Sequence, residues 1–435
     1  MGEVEIQDIN KIRDIPKNSW LSVGSGSLAW YVDSYDNTIY AIILATSVIF
    51  LNTSLIALTE VLWGMLITKA IGTFIFGSYS DKLGRKKLMI FSFVWITIFT
   101  ALTGLSFNIY SFFLLRILYG IGFGATWSVS AAYAIERFPA KFRGMGSGIM
   151  MFGFDFAFFS VAVVSGILLS FADGWRLVWF TGIVPGLIGT VIALRTKESE
   201  LWNKQGAKKE SLATVMKSLF QKRYRKITII TFLFMAAINL NAWALWILYP
   251  TFLETVRHVA TSDIYLYIGA WTIGSIIGKP LLGQLSERFR RDRVITFSMI
   301  IAVILAPFWV TLAVPAELFI IIFFMGLIPN GVWGLLPAYI GERYPTEMRG
   351  SGEGLGWLAT SFSGFSPFII AYLRPAYGFG NSIMLMIIAT AIPTLILALI
   401  NGESKFRGKS LSKITAEEEE IVQRSKPVIM GAGKL

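Results

Sequence analysis

Long apolar runs separated by short polar clusters organise this chain. The runs lie at about 24–50, 56–79, 88–107, 110–134, 145–171 and 174–194, and again at about 227–253, 262–285, 294–313, 317–340, 351–373 and 379–400. Each is close to the roughly 20 apolar residues that a helix needs to cross a bilayer. The pattern predicts an all-α membrane protein with twelve transmembrane helices. It divides the chain into an N-terminal arm (1–23), a six-helix bundle (24–194), a linker (195–226), a second six-helix bundle (227–400) and a tail (401–435). Leu212, Val215, Met216, Leu219 and Phe220 follow the helical period among Lys217, Lys222, Arg223, Arg225 and Lys226. That predicts a basic amphipathic helix on the membrane surface, tethering the bundles. The first 19 residues lack the apolar core of a signal peptide, so the first membrane helix is expected to be retained. Glu417 to Glu420 in the tail read as a solvated charge run.

Charge placement sets the expected topology. Thirty-three of the 39 Lys and Arg fall in the arm, the tail and alternate connections, together with the linker. Arg176, Arg257 and Arg374 lie on the other side, and Lys69, Arg116 and Lys279 lie within apolar runs. Basic residues concentrate on the cytoplasmic side of membrane proteins. A multi-pass protein of the cell membrane with both termini in the cytoplasm is expected.

Composition agrees. Of 435 residues, 54% are hydrophobic and 15% charged, against roughly 25% charged in soluble domains. Mean hydropathy is +0.62. The net charge of +12 follows the loops beside anionic lipid and does not suggest a nucleic-acid partner. With no Cys and one His, thiolate metal sites and an HExxH peptidase are excluded, and no GxxxxGK[ST] loop is present. No metal, cofactor or catalytic cluster is expected.

The chain also repeats itself. Gly77-Ser-Tyr-Ser-Asp81-Lys-Leu-Gly84-Arg85-Lys-Lys87 aligns with Gly283-Gln-Leu-Ser-Glu287-Arg-Phe-Arg290-Arg291-Asp-Arg293. Glu136-Arg-Phe-Pro-Ala-Lys-Phe-Arg143-Gly144 aligns with Glu342-Arg-Tyr-Pro-Thr-Glu-Met-Arg349-Gly350. The first pair gives an offset of 283 minus 77, the second of 342 minus 136, both 206. Two loop motifs sharing one offset predict a duplicated six-helix unit, with the two copies parallel. Such repeats form a cavity at their interface, near the bilayer midplane.

These motifs resemble the major facilitator superfamily. Gly77 to Lys87 is similar to that family's loop signature between helices 2 and 3, and Arg116 to Gly124 to its helix-4 signature. Glu136 to Gly144, the Glu198 segment after helix 6 and the Glu403 segment after helix 12 resemble the branch of sugar porters and metabolite or organic-acid proton symporters. Paired glutamines of sugar porters are absent from helix 7, where Asn239, Asn241 and Trp243 stand. Asp33-Ser-Tyr-Asp36 is similar to the helix-1 pattern of organic-acid symporters. The resemblance implies that Asp36 and Arg116 form a proton-linked pair, with a permanent structural salt bridge as the alternative. It also implies that Gly77, Asp81, Gly84 and Arg85, with Glu136, Arg143, Glu287, Arg291, Glu342 and Arg349, form a cytoplasmic gate. The second copy is expected to be the weaker, since Arg290 replaces a glycine.

A charge at the centre of a membrane helix costs roughly 2.5–3.5 kcal/mol on insertion scales and is a functional candidate by default. Asp33 and Asp36 lie about 60° apart around a helix and, with Tyr40, can face one cavity; Asp33 can equally be solvated near the outer surface. Lys69 can bind a substrate carboxylate or neutralise Asp155. Glu353 reads as an inner-gate charge. Trp127, Trp243, Trp333 and Trp357 are candidates for the cavity wall. The expected function is secondary active transport of a small solute by a single chain, as proton symport with a carboxylate favoured. A sugar or polyol porter and a non-transporting solute sensor are the alternatives.

Overall fold

The computed structural model describes residues 9–53, 55–169, 171, 173–196, 198, 212–246, 248–259, 261–344 and 348–403. Among these, all regular structure is helical. Helices α1 (Lys17–Phe50), α2 (Leu55–Leu83), α3 (Arg85–Thr103), α4 (Ile109–Glu136) and α5 (Arg143–Leu168) are continuous. The sixth crossing is two pieces, α6 (Gly174–Thr181) and α7 (Ile183–Arg195), meeting at Gly182. The short amphipathic α8 (Leu212–Leu219) precedes α9 (Arg225–Trp246), α10 (Tyr249–Val256), α11 (Thr261–Phe289) and α12 (Arg291–Thr311). The tenth crossing runs from α13 (Pro315–Met325) through a π turn and a 3-10 turn to α14 (Leu336–Gly341). The eleventh is α15 (Arg349–Leu358), a 3-10 turn and α16 (Phe365–Tyr377), and α17 (Phe379–Asn401) is the twelfth.

Eight of these crossings are long and apolar enough to span a membrane, among the described residues. The other four are α1, α2, α4 and α11, of 34, 29, 28 and 29 residues. At 1.5 Å per residue they are about 42–51 Å long, ample for a bilayer. They are the helices that carry Asp33 and Asp36, Lys69, Arg116 and Lys279.

Helix α1 starts at Lys17, well before the apolar run. One face of the extra turns is covered, while Lys17, Asn18 and Leu21 stay exposed: Ser19 and Ser22 are buried, Ser22 Oγ donates to Asn18 O, and Trp20 packs edge-on against Phe138. A hydropathy scan misses them because their burial comes from tertiary packing.

Glycines seat the helices of each repeat at the 206-residue offset. A Cβ at Gly72 would lie 2.2 Å from Ile121 O, and one at Gly120 would lie 2.7 Å from Met65 O. In the second repeat a Cβ at Gly278 would lie 2.0 Å from Leu327 O, and one at Gly326 would lie 2.3 Å from Trp271 O. So α2 meets α4, and α11 meets the tenth crossing, through glycines at corresponding positions. Only the absence of a side chain permits such close backbone approach.

The apolar core is not uniform along the bundle. Toward the end rich in Lys and Arg, called here the basic end, one cluster joins both repeats and includes Trp30, Phe138, Tyr339 and Trp357. Toward the opposite end the core separates. One cluster belongs to the first repeat, around Tyr35, Phe112 and Trp179; another belongs to the second, around Tyr249, Trp309 and Ile387. The repeats share one core toward the basic end and have separate cores beyond it, where they still touch at points such as Trp63 against Phe365, 4.7 Å apart.

Candidate functional site

Three ion pairs lie at membrane depth, each nearly or fully shielded from solvent. In the first, Arg116 on α4 grips Asp36 on α1 with two hydrogen bonds, Nη1 to Oδ1 at 2.8 Å and Nη2 to Oδ2 at 3.2 Å. Thr100 Oγ1 on α3 donates to the same carboxylate at 2.6 Å. The guanidinium lies 4.2 Å from the Tyr119 ring and 4.8 Å from that of Trp179. This bidentate geometry gives a strong, directional contact, and the aromatic faces favour the cation.

In the second pair, Lys69 Nζ on α2 donates to Asp33 Oδ1 at 2.7 Å, and Asn37 Nδ2 donates to the same oxygen at 2.6 Å. The ammonium sits 3.6 Å from the Phe123 ring centre. Asp33 is therefore buried and paired rather than solvated. Lys69 is held by Asp33 and not by Asp155, which corrects that expectation. Two aspartates one turn apart on α1 thus engage different neighbours, both inside the first repeat.

The third pair crosses between the repeats. Lys279 Nζ on α11 binds Asp155 Oδ2 on α5, with both side chains 3% exposed. The Ser275 hydroxyl also reaches Asp155, and Asn330 Nδ2 holds Ser275 Oγ at 2.7 Å. Asp155, but not Lys279, lines a pocket enclosing about 580 Å³, part of it open to the surroundings. Half of the pocket's twelve lining residues are aromatic: Phe154, Phe158, Tyr249, Tyr267, Trp271 and Trp309. Tyr249 stacks on Trp309 at 3.7 Å. The pocket lies on the side where the repeats part. Lys279 was visible in sequence as one of three cations within apolar runs, but its partner was not.

Below this level Trp30 on α1 meets Trp357 on α15 at 5.3 Å, and Trp357 meets Trp333 at 6.1 Å. This aromatic layer bridges the repeats between the ion pairs and the basic end. Trp357 Nε1 donates to Glu353 Oε2 at 3.1 Å. Glu353 thus sits inside the protein, bonded to the indole.

At the basic end the repeats are latched. Glu342 accepts from Arg143 Nη1 at 2.7 Å, from Arg291 Nη2 at 2.8 Å and from Arg291 Nε at 2.9 Å. Arg291 Nη2 also binds Glu287 Oε1 at 2.8 Å, and Glu287 accepts from the Gly144 amide at 2.7 Å. Arg143 and Gly144 belong to the first repeat, the other groups to the second. Burial alone would raise the Glu342 carboxyl, but Arg291 and Arg143 outweigh it and hold the group below its ordinary range.

The motif loops share further geometry. Gly84 precedes α3 at φ 97°, and Arg290, 206 residues on, precedes α12 at φ 77°. Glu198 accepts from the Arg85 and Lys86 amides at the start of α3, at 3.0 and 3.1 Å. Glu403 does the same for the Arg291 amide at the start of α12, at 2.5 Å. Carboxylates at helix N-termini satisfy unpaired amides and complement the helix dipole. Arg349 donates to Gly341 O at 3.1 Å and Tyr344 O at 3.4 Å, tying down the turn between the tenth and eleventh crossings. Arg85 Nη1 donates to Ser80 O at 2.7 Å.

Other predicted residues fall elsewhere. Tyr40 donates to Leu58 O at 2.6 Å and so joins α1 to α2 instead of facing a cavity. Asn241 donates to Ile387 O and Thr390 Oγ1, both at 3.0 Å, and clamps α9 to α17. Asn239 donates to Met235 O of its own helix at 2.7 Å. Trp243 is half-buried on α9 and outside the pocket lining. Gly77 lies within α2, and the side chains of Asp81, Trp127 and Glu136 lie outside what is described. Trp30 was not anticipated; its place in an apolar run gave no sign of a contact between repeats.

Paired charges buried at membrane depth, parallel six-helix repeats and a latch at one end define a membrane transporter of small solutes. The Major Facilitator Superfamily profile matches residues 27–367, and the chain belongs to that family: a transporter and not an enzyme. It is 24% identical over 324 residues to a probable 4-methylmuconolactone transporter of Cupriavidus pinatubonensis, covering 74% of this chain and 75% of that one. It is 26% identical over 341 residues to the sialic acid transporter NanX of Escherichia coli, covering 77% and 82%. It is 24% identical over 349 residues to a cis,cis-muconate transport protein of Acinetobacter baylyi, covering 78% and 83%. The fold is similar to that of the proton:xylose symporter XylE, with a TM-score of 0.75 at 17% identity over 92% of this chain and 98% of that one.

Proposed function

We propose that the protein is a proton-coupled symporter of a small organic carboxylate, working by alternating access. The observation that carries this reading is the Asp36–Arg116 pair, sealed from solvent inside the first repeat. While Arg116 stays close, Asp36 favours its charged form; when the pair separates in a dry environment, the carboxyl favours the proton. A rearrangement that moves α1 against α4 therefore takes up or releases a proton.

Charge arithmetic supports a carboxylate. The three pairs balance three carboxylates against three cations. An entering anion adds one negative charge to a low-dielectric interior, where an uncompensated charge is costly. One accompanying proton restores the balance. Relatives described as transporters of muconolactone, sialic acid and muconate fit this class.

We place the basic end in the cytoplasm, with both termini, from the distribution of Lys and Arg. The latched form then faces outward, its pocket on the outer side. The units taken to rock are 24–194 and 227–400, joined by the linker 195–226, with one chain sufficient for the cycle in the cell membrane. Purified protein in proteoliposomes tests the reading. An imposed gradient, acid outside, should drive uphill uptake of a labelled organic acid, and collapse of the gradient with a protonophore should abolish accumulation. Accumulation insensitive to the protonophore would overturn the proton-coupled reading.

A further inference from the structure

We propose that Lys279 is the carboxylate-binding cation of the aromatic pocket, and that Asp155 occupies it as a resident counter-ion which the solute's carboxylate replaces. The inference deepens the reading above and rests on it. The pair is the one described membrane-depth ion pair that joins the two repeats. Asp155 forms part of the pocket wall, and Lys279, which does not line the pocket, holds its carboxylate. An anion coming from the open side therefore meets Asp155 first and reaches Lys279 only by displacing it.

The surroundings suit the exchange. Lys279 Nζ is an ammonium with three donors; besides Asp155 it meets, among the described residues, the Met151 carbonyl at 3.5 Å and the face of the Phe154 ring, 5.6 Å from its centre. Asp155 keeps a donor after displacement, because Asn330 fixes the Ser275 hydroxyl beside it. The aromatic walls favour a planar, unsaturated body behind the carboxylate. An aromatic monocarboxylate matches both features, with its carboxylate on Lys279 and its ring among Phe154, Tyr249, Tyr267, Trp271 and Trp309.

The exchange would also link binding to motion. While Asp155 holds Lys279, α5 and α11 are tied across the repeats at mid-depth. A solute on Lys279 removes that tie without leaving the cation bare. The described charged group facing Asp155 is Lys279 alone, with the Ser275 hydroxyl as its other side-chain partner.

The test measures binding to the purified full-length protein by isothermal calorimetry, with benzoate, benzamide and hexanoate as probes. Wild type should bind benzoate over both its neutral amide and the aliphatic acid. Asp155→Asn leaves Lys279 without its resident anion and should bind benzoate more tightly, by several-fold. Lys279→Met should lose roughly thirty-fold or more, the scale seen when one member of a buried charge pair is truncated. Because Lys279→Met strands a buried carboxylate and can fail to fold, Asp155→Asn/Lys279→Met is measured beside it, with size-exclusion profiles as the folding control. The double variant should fold and should not bind. Equal benzoate affinity in the double variant and wild type, weaker binding by Asp155→Asn, or a preference for benzamide would each overturn the proposal. Counterflow with the same probes keeps the two readings apart. If a probe is carried while the double variant binds it normally, the Lys279 assignment fails and the carrier reading stands. If no carboxylate is bound or carried, both fail.

Discussion

Gly144 on α5 and Gly283 on α11 cross backbone to backbone between the two repeats. A Cβ on Gly144 would lie 2.2 Å from Gly283 O, and one on Gly283 would lie 2.1 Å from Gly144 O. Real Cβ atoms do not approach so closely, and neither partner is a flexible side chain that could yield. The closure of the basic end therefore requires glycine at both positions. Gly283→Leu is expected to hold the repeats apart there while each repeat keeps its own fold. The chain has no cysteine, so Ser147→Cys, buried beside this crossing, gives a clean probe. Its labelling by a thiol reagent should rise markedly in the Gly283→Leu background. Unchanged labelling would show that the crossing is not needed for closure.

The charged latch acts at the same end through a different force. Glu342→Gln leaves Arg143 and Arg291 facing a neutral amide. Removing one member of a buried ion pair costs about 3–5 kcal/mol. That loss falls on the latched form, so the equilibrium shifts toward opening at the basic end. Solute binding should survive, transport turnover should fall, and labelling of Ser147→Cys should increase. Loss of binding with normal turnover would contradict a gate.

The latch also has a pH signature. The Glu342 carboxyl lies below its ordinary range while latched and returns toward that range when the arginines withdraw. Its contribution is therefore fully present above the ordinary range, and is lost as pH falls through it to the lowered value. Between pH 6 and 8 this group should leave gate opening unchanged. Below roughly pH 4 labelling of Ser147→Cys should climb, and Glu342→Gln should remove that climb. A climb between pH 8 and 6 that vanishes in Glu342→Gln would contradict the assigned direction.

Asp36→Asn tests coupling. The amide keeps the size and much of the hydrogen bonding to Thr100 but cannot titrate. Uphill uptake driven by a pH gradient should disappear, while counterflow, which needs no net proton movement, should continue at least in part. Arg116→Ala should be harsher, since it leaves Asp36 buried without its cation. Wild-type accumulation by Asp36→Asn would remove this aspartate from the coupling scheme.

Arg290 holds a backbone conformation that Gly84 adopts freely at the corresponding place. For a residue with a side chain, such geometry costs on the order of 1–3 kcal/mol. Its side chain recovers part of this through Asp292, at 2.9 Å, a pair in which Arg290 is exposed and Asp292 buried. Arg290→Gly is expected to stabilise the protein by about 1 kcal/mol, visible as a raised melting temperature in detergent. A lowered melting temperature would mean that the Asp292 contact outweighs the strain.

Much of this architecture could be read from the chain. Twelve apolar runs and one offset of 206 foretold the repeats, because hydrophobicity and duplicated loop residues are local properties of sequence. Buried charges marked themselves by their rarity in membrane helices. Their partners did not, since pairing depends on how each helix is rotated about its axis. Asp33 and Asp36 are three residues apart, yet one turns to α2 and the other to α3 and α4. Asp155 meets Lys279 across 124 positions and two repeats. Asn241 looked like a cavity residue by analogy of place, and its amide instead serves the contact with α17. The weaker-looking second motif, with Arg290 in place of glycine, supplies the described latch through Glu287 and Arg291, because the backbone accepts the strain and keeps the turn.

The three buried pairs have a consequence for behaviour under an electrical field. A membrane voltage does work only on net charge that moves through it, about 2.3 kcal/mol per elementary charge for each 100 mV. Asp33 with Lys69, Asp36 with Arg116 and Asp155 with Lys279 each sum to zero. Asp33 with Lys69 and Asp36 with Arg116 lie within the first repeat, and a first repeat that rocks with them paired displaces almost no gating charge. In the proposed cycle the return of the empty carrier is then expected to be indifferent to membrane potential, as is the step that would carry an anion together with a proton. Under the proposed proton symport of an anion, uptake is then expected to follow the pH gradient and to change little when the membrane voltage is collapsed.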